Sequence, residues 1–291
     1  MASAIGRYKV TEMNRKIPSA SSLVIFAMLF AKPLLAETLD AAYFAKLLFE
    51  AKIAGKLLPD IYRINPDIDE QSLYDIQKHY IQARLAAGEA IGGYKGGFVP
   101  KASIGGVLFG GDKILRGRPA IKLDEFSLLV VEAEIGFRFC EPITEAVADV
   151  ATLKKHVCEI LPVMEVADGA IADFGKVKKN FEHLRNTLIS INVAASYTFL
   201  GDAGRRTIDL SSIPVSMRHN DEQIGRRDLS KDFDFWQNLK WIVNDYVIAR
   251  GYSVEPGQFI IAGNLTGIHV ASRGEYVADF GELGKLTLLV E

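Results

Sequence analysis

Residues 126–139 read FSLLVVEAEIGFRF, and no other stretch limits the fold of this chain as strongly. A run so rich in β-branched and aromatic residues favours an extended strand. On a strand, side chains alternate between faces. Glu132 and Glu134 therefore point one way, while Val131, Ala133 and Ile135 point the other. Two neighbouring carboxylates on a mostly apolar strand repel each other and lose hydration when buried. The fold must either leave this face in water, as two solvated acids on a sheet surface, or supply positive charge. A divalent, oxygen-seeking metal meets the second need, and an all-carboxylate set suits Mg²⁺ or Mn²⁺.

Two other segments pose related questions. Leu161-Pro162-Val163-Met164-Glu165-Val166-Ala167-Asp168 is a second apolar strand with a lone acid, Glu165. That acid either shares a metal with Glu132 and Glu134 or pairs with one Lys or Arg. Gly92-Gly93-Tyr94-Lys95-Gly96-Gly97 sets one lysine between glycines, where backbone or ligand approaches closely. Lys95 there either holds an anionic group and moves a proton or sits in a plain glycine-rich hairpin. The segment is neither a P-loop nor a dinucleotide fingerprint. His79, His156, His183, His219 and His269 lack the spacing of zinc ligands, and no Gly-x-Ser-x-Gly elbow is present.

The chain has 291 residues, a formal net charge of −2 and 49% hydrophobic residues. That composition is globular and excludes a mostly disordered chain. The near balance of charge argues against a nucleic-acid partner, which needs clustered Lys and Arg. Apolar periodicity predicts helices over 38–54, with Leu39, Tyr43, Leu47, Leu48 and Ala51 inward, over 69–87, and over 152–159. A further helix over 234–250 ends at Gly251. Strands are expected at 94–99, 107–109, 126–139, 161–167, 189–200, 258–262 and 286–290. Long strands with few helices between them indicate an α+β protein rather than a doubly wound sheet.

The N-terminus reads as a leader. Arg15 and Lys16 precede an apolar run, Leu23–Ala31, and Ala36 stands just before the polar Glu37-Thr38-Leu39-Asp40. This is the pattern of a secretory signal over residues 1–36, with Met13 as a second start, and the run is too short to span a bilayer. Residues 37–88 then form a helical N-terminal unit and 89–291 a β-rich domain. The expected location is periplasmic or secreted, with cytoplasmic as the alternative and no membrane association after signal removal. In an oxidising compartment Cys140 and Cys158 could pair, but two cysteines make no disulfide scaffold, and buried free thiols are the expected state.

Taken in order, Gly93-Tyr94-Lys95-Gly96-Gly97, Val131-Glu132-Ala133-Glu134-Ile135 and Leu161-Pro162-Val163-Met164-Glu165-Val166 followed by Asp168 and Asp173-Phe174 resemble the fumarylacetoacetate hydrolase superfamily. The closer similarity is to its 2-keto-4-pentenoate hydratase and 4-oxalocrotonate decarboxylase branch. Val254 to Gly263 resembles that branch's later turn and strand, so the resemblance covers about residues 40–291. It implies a mixed β-roll, usually oligomeric. It implies Mg²⁺ or Mn²⁺ held by Glu132, Glu134 and Glu165, with Lys95 as the basic group. Gly96, Asp168, Ser196 and Gly263 would line a small 2-oxo acid. The implied reaction is hydration of a 2-hydroxy-dienoate through a metal-stabilised enolate. The alternatives are a 2-oxo acid decarboxylase, an acylpyruvate-type C–C hydrolase relying on a base such as His79 or His183, and a non-catalytic periplasmic binding protein. The chain departs from the pattern twice. Ile104 stands where the hydratases carry an acid, and Asn192-Val193-Ala194-Ala195-Ser196 replaces an Asp-Asn-Ala-Ser segment.

Overall fold

The computed structural model describes residues 33–98, 102–171, 173–228 and 233–291, with only the backbone of 33–40. The expected leader therefore lies outside the described residues, apart from Pro33–Ala36 at the start of the first helix. Residues 41–291 form one compact unit, which takes in the helical residues from 41 to 86 and all the described strands.

The chain opens with helices α1 (Pro33–Ile53), α2 (Ile61–Ile64) and α3 (Glu70–Ala86). Local chemistry sets the bounds of α3. Asp69 caps its N-terminus by accepting the Ser72 N–H at 2.8 Å, and Gly88 ends it at φ +100°, a left-handed stop that favours glycine. Leu73, Ile76, Tyr80 and Ile81 turn inward as the periodicity predicts. On α1 the buried face is Ala41, Ala45 and Leu48, while Tyr43 is exposed, a correction to the predicted face. Small alanines let this helix pack closely, and the larger Tyr43 is left at the surface.

Among the described residues, thirteen strands follow: β1 (Ile91–Gly97), β2 (Ile104–Phe109), β3 (Ile114–Leu115), β4 (Ala120–Ile121), β5 (Leu129–Phe139), β6 (Val157–Asp168), β7 (Ala195–Leu200), β8 (Pro214–His219), β9 (Glu222–Asp228), β10 (Phe259–Ala262), β11 (His269–Val270), β12 (Gly274–Asp279) and β13 (Lys285–Val290). The helices among them are α4 (Val150–His156), α5 (Phe174–Val177), α6 (Phe181–Ser190) and α7 (Phe235–Trp241), which runs on as a π-helical turn to Ile248. The large sheet has the order β2-β1-β10-β5-β6-β7-β3, with β11 beside β5, and the smaller one β4-β13-β12-β8-β9. The large sheet is mixed, with β1 parallel to β10 and antiparallel to β2. Its β2 and β7 approach each other, so it curls into a roll. This is the expected α+β architecture.

Close approach explains two glycines. A Cβ on Gly93 would overlap the Phe259 carbonyl, and one on Gly105 would overlap the Tyr246 ring. Tyr246, on the π-helical turn, donates through its hydroxyl to Gln77 Oε1 at 2.9 Å. Gln77 Nε2 in turn donates to the carbonyls of Gly105 and Ile189. This buried, satisfied network ties α3, β2 and α6 together.

The expected strand over 189–200 begins only at Ala195. Residues 181–190 are helical, and Asn192, Val193 and Ala194 make a left-handed turn at φ +57°, +51° and +57°. The free-thiol expectation is also corrected: Cys140 and Cys158 form a disulfide with a Cα–Cα distance of 5.7 Å. The β5–β6 register, with Arg138 opposite Glu159 and Phe139 opposite Val157, brings the two cysteines within bridging range.

Candidate active site

A cavity of ≈ 500 Å³ lies against one face of the large sheet. Strand alternation selects its floor: Lys95 and Gly97 from β1, Val130, Glu132 and Glu134 from β5, and Glu165 and Ala167 from β6. The antiparallel register sets Glu132 directly opposite Glu165. Lys95 lies three strands from Glu165 in the sheet order, roughly 14 Å away on a flat sheet. Its ammonium nonetheless forms an ion pair with the Glu165 carboxylate, because the sheet curls. Leu184 and Leu188, one turn apart on α6, and Asn238 of α7 line the cavity from the helical side.

Lys95, Glu134 and Glu165 are buried, at 5%, 3% and 1% exposure. Lys95 Nζ donates to Glu165 Oε1 and, at 3.1 Å, to the Val193 carbonyl. Glu134 Oε1 accepts the Asn264 N–H at 3.1 Å, while its Oε2 is buried without a partner. One ammonium thus faces three carboxylates. Burial, with the Glu165 charge, pushes Glu132 up to about 8. Burial and the charges of Glu165 and Glu132 raise Glu134 well above the ordinary carboxylate range. Burial alone would lower Lys95, but Glu165, Glu132 and Glu134 outweigh it and hold the lysine above its usual value.

The left-handed turn serves the lysine. Three successive non-glycine residues in this conformation cost roughly 1–2 kcal/mol each, and strain of this kind persists where the surroundings impose it. Asn192 imposes it here. Its Oδ1 accepts the Val107 N–H at 2.7 Å and its Nδ2 donates to the Val107 carbonyl at 2.8 Å. The turn aims the Val193 carbonyl at Lys95.

The donor chemistry fits a divalent cation. The set is all carboxylate, crowds three acids round one ammonium, and leaves Glu134 Oε2 orphaned, the situation that a hard cation with oxygen ligands resolves. As they stand, no three His, Cys, Asp or Glu side chains among the described residues make a group that could hold a metal ion, and Glu165 is engaged by Lys95.

Of the other expected site residues, Gly96 and Gly263 line the cavity. Asp168 and Ser196 are not among its lining residues. The Asp168 carboxylate instead accepts the Leu128 N–H at 3.1 Å. Ile104 is fully buried and lines the cavity where an acid was expected. His183 is held by Asp60 at 2.7 Å and His79 is exposed on α3; neither lines the cavity. Sequence reasoning missed Asn238, Asn264 and the Val193 carbonyl. Asn238 had a signal, being a polar residue on the apolar face of its helix beside Phe235 and Leu239. The backbone groups had none.

Neither a protein-family model nor a curated protein sequence matches the chain. Solved structures do. The 4-oxalocrotonate decarboxylase from Pseudomonas putida G7, complexed with magnesium and adipate, superposes with a TM-score of 0.75 at 18% identity, over 87% of this chain and 97% of that one. The same enzyme complexed with calcium and acetate gives 0.74 at 18%, with the same coverage. A 2-hydroxyhepta-2,4-diene-1,7-dioate isomerase from Mycobacterium marinum gives 0.51 at 16%, over 69% and 76% of the two chains. The chain therefore has the fold of 4-oxalocrotonate decarboxylase, a mixed β-roll as the sequence resemblance implies.

Proposed function

We propose that the chain is a metal-dependent lyase of the fumarylacetoacetate hydrolase superfamily, acting on a 2-oxo acid or 2-hydroxy-dienoate. The observation that carries this reading is the partnerless Glu134 Oε2 beside Glu132, Glu165 and Lys95 at the closed end of the cavity. Glu132, Glu134 and Glu165 would hold the ion. Mg²⁺ or Mn²⁺, when bound, supplies the Lewis acidity that stabilises a developing enolate. The magnesium and calcium complexes of the decarboxylase with the same fold support a divalent ion. Lys95, oriented by the Val193 carbonyl, holds or delivers a proton at Nζ.

Between the two lyase reactions, the wall favours decarboxylation. Hydration needs a water molecule and a group to activate it. Ile104 removes the acid that the hydratases carry at that position, and its neighbour in the cavity, Val193, is also apolar. Losing CO₂ from a vinylogous β-keto acid needs neither. C–C hydrolysis is less well supported, because His79 and His183 lie outside the cavity lining. A non-catalytic binding role is favoured by one observation, the pairing of Lys95 with Glu165. The disulfide supports a periplasmic or secreted location, and the family fold supports a homo-oligomer.

Turnover of 4-oxalocrotonate-type and 2-hydroxy-dienoate substrates with Mg²⁺ or Mn²⁺, followed by enol absorbance and CO₂ release, tests the reading. CO₂ release that Glu134→Gln abolishes is the expected result. Ligand binding without turnover across the panel would establish the binding role instead.

A further inference from the structure

The chemistry described above occupies only the closed end of the cavity. At ≈ 500 Å³ the space lies in the range of roughly 300–1,000 Å³ that encloses drug-sized ligands. A five- or six-carbon diacid held at the carboxylates leaves much of it unfilled.

What lines the remainder is mostly apolar, and its polar members Asn238 and Asn264 are neutral. Ile104, Leu184, Leu188 and Val193 form its walls, and Ile268 and Val270 line it with 49% and 54% exposure. Aliphatic side chains that are half in water beside a cavity gain from being covered. Among the described lining residues, the charged side chains are Lys95, the three glutamates and Lys178, and Lys178 is exposed to solvent. A second carboxylate lying along Leu184 and Leu188 would meet no buried cation among the described lining residues, Lys178 being exposed to solvent, and would lose its hydration uncompensated. Among the described residues, the buried lining is therefore charged at one end and uncharged along the rest, with Lys178 as a solvent-exposed cation.

We infer that the site takes a 2-oxo acid with a long, neutral, apolar tail. The 2-oxo acid head lies at Lys95 and the glutamates, and the tail runs along Leu184 and Leu188 to cover Ile268 and Val270. The inference rests on the proposed reading of the charged end as a 2-oxo acid site, and it names the substrate class for that site.

Calorimetric titration of the full chain tests it, with and without Mg²⁺. The probes are 2-oxobutanoate, 2-oxohexanoate, 2-oxooctanoate and 2-oxodecanoate, plus 2-oxooctanedioate as the diacid of matched length. The expected Kd falls roughly fourfold per added methylene until the tail reaches the mouth, and 2-oxooctanoate binds at least tenfold tighter than the diacid. In the double variant Ile268→Ser, Val270→Ser the gain at the long end of the series shrinks. An unchanged melting temperature shows that the loss is not unfolding. A Kd independent of chain length, with the short acids still binding, overturns the apolar-tail inference and leaves the 2-oxo acid reading standing. Tighter binding of the diacid also overturns it, in favour of a distal anion read at the mouth. No binding by any member, 2-oxobutanoate included, overturns the 2-oxo acid reading itself.

Discussion

At one end of the β5–β6 hairpin, Glu132 faces Glu165 across the strands, with Glu134 two residues on. At the other end, Cys140 and Cys158 are covalently joined. The same antiparallel register produces both. It sets like charges opposite each other where the cavity lies, and it sets two thiols within bonding distance where the hairpin leaves the sheet. The first arrangement destabilises the hairpin locally, since buried carboxylates without full compensation are costly. The second restricts the unfolded chain. The proposed function accounts for one end and stability for the other, and the two ends are expected to respond to different perturbations.

The largest effect is expected from removing the single ammonium. Lys95→Met leaves the buried carboxylates with no cation of the chain's own, and breaking a buried pair in this way costs about 3–5 kcal/mol. Urea unfolding of the metal-free protein near pH 8 measures it, and the loss shrinks at pH 5, where Glu132 and Glu134 are protonated. A loss that is the same at both pH values would mean that the lysine's stem, not its charge, stabilises the site.

Next comes the staple. The bridged cysteines are 18 residues apart, and closing a loop of that size is worth about 3 kcal/mol. The double variant Cys140→Ser, Cys158→Ser loses that amount relative to the oxidised protein, equally at pH 5 and pH 8. Dithiothreitol has no effect on it. A pH-dependent loss would show that the two ends are coupled rather than independent.

The smallest effect concerns the raised carboxyls. A glutamate whose pKa is higher in the folded state binds more protons folded than unfolded, so stability falls as pH rises through the interval between the two values. For Glu132 that interval runs from its ordinary 4.5 to about 8. The melting temperature of metal-free protein declines across this window, and saturating Mg²⁺ flattens the decline. Glu134→Gln also reduces the decline in the metal-free protein while weakening Mg²⁺ binding. A metal-free profile that is flat from pH 4.5 to 8 would remove the electrostatic contrast between the two hairpin ends.

Much of this hairpin was legible in the sequence. The alternation of Glu132 and Glu134 within an apolar run follows from the two-residue period of a strand, and the cavity-facing side chains Val130, Glu132 and Glu134 keep it. Helix α3 was equally legible, because Asp69 and Gly88 act within a turn of its ends. Tyr43 was misread because a helical stripe can be drawn through several faces, and packing selected the one with small alanines. Residues 189–200 were misread because the apolar, β-branched composition of Ile189, Ile191 and Val193 is shared by a helix end and a strand start. Only the bonds of Asn192 to Val107 and of Lys95 to the Val193 carbonyl decide between them.

By itself, then, the sequence determined what local backbone geometry can enforce: which side chains share a strand face, where capped helices begin and end, and that three carboxylates and one lysine lie on strands. The tertiary structure alone decided which of these meet. It placed Lys95 on Glu165 across three strands, joined Cys140 to Cys158, set Ile104 into the cavity wall and left Asp168 and Ser196 outside the lining. Those outcomes depend on sheet curl, strand register and a left-handed turn held by a distant backbone. Each of these is fixed by packing between segments far apart in the chain, and no local periodicity encodes it.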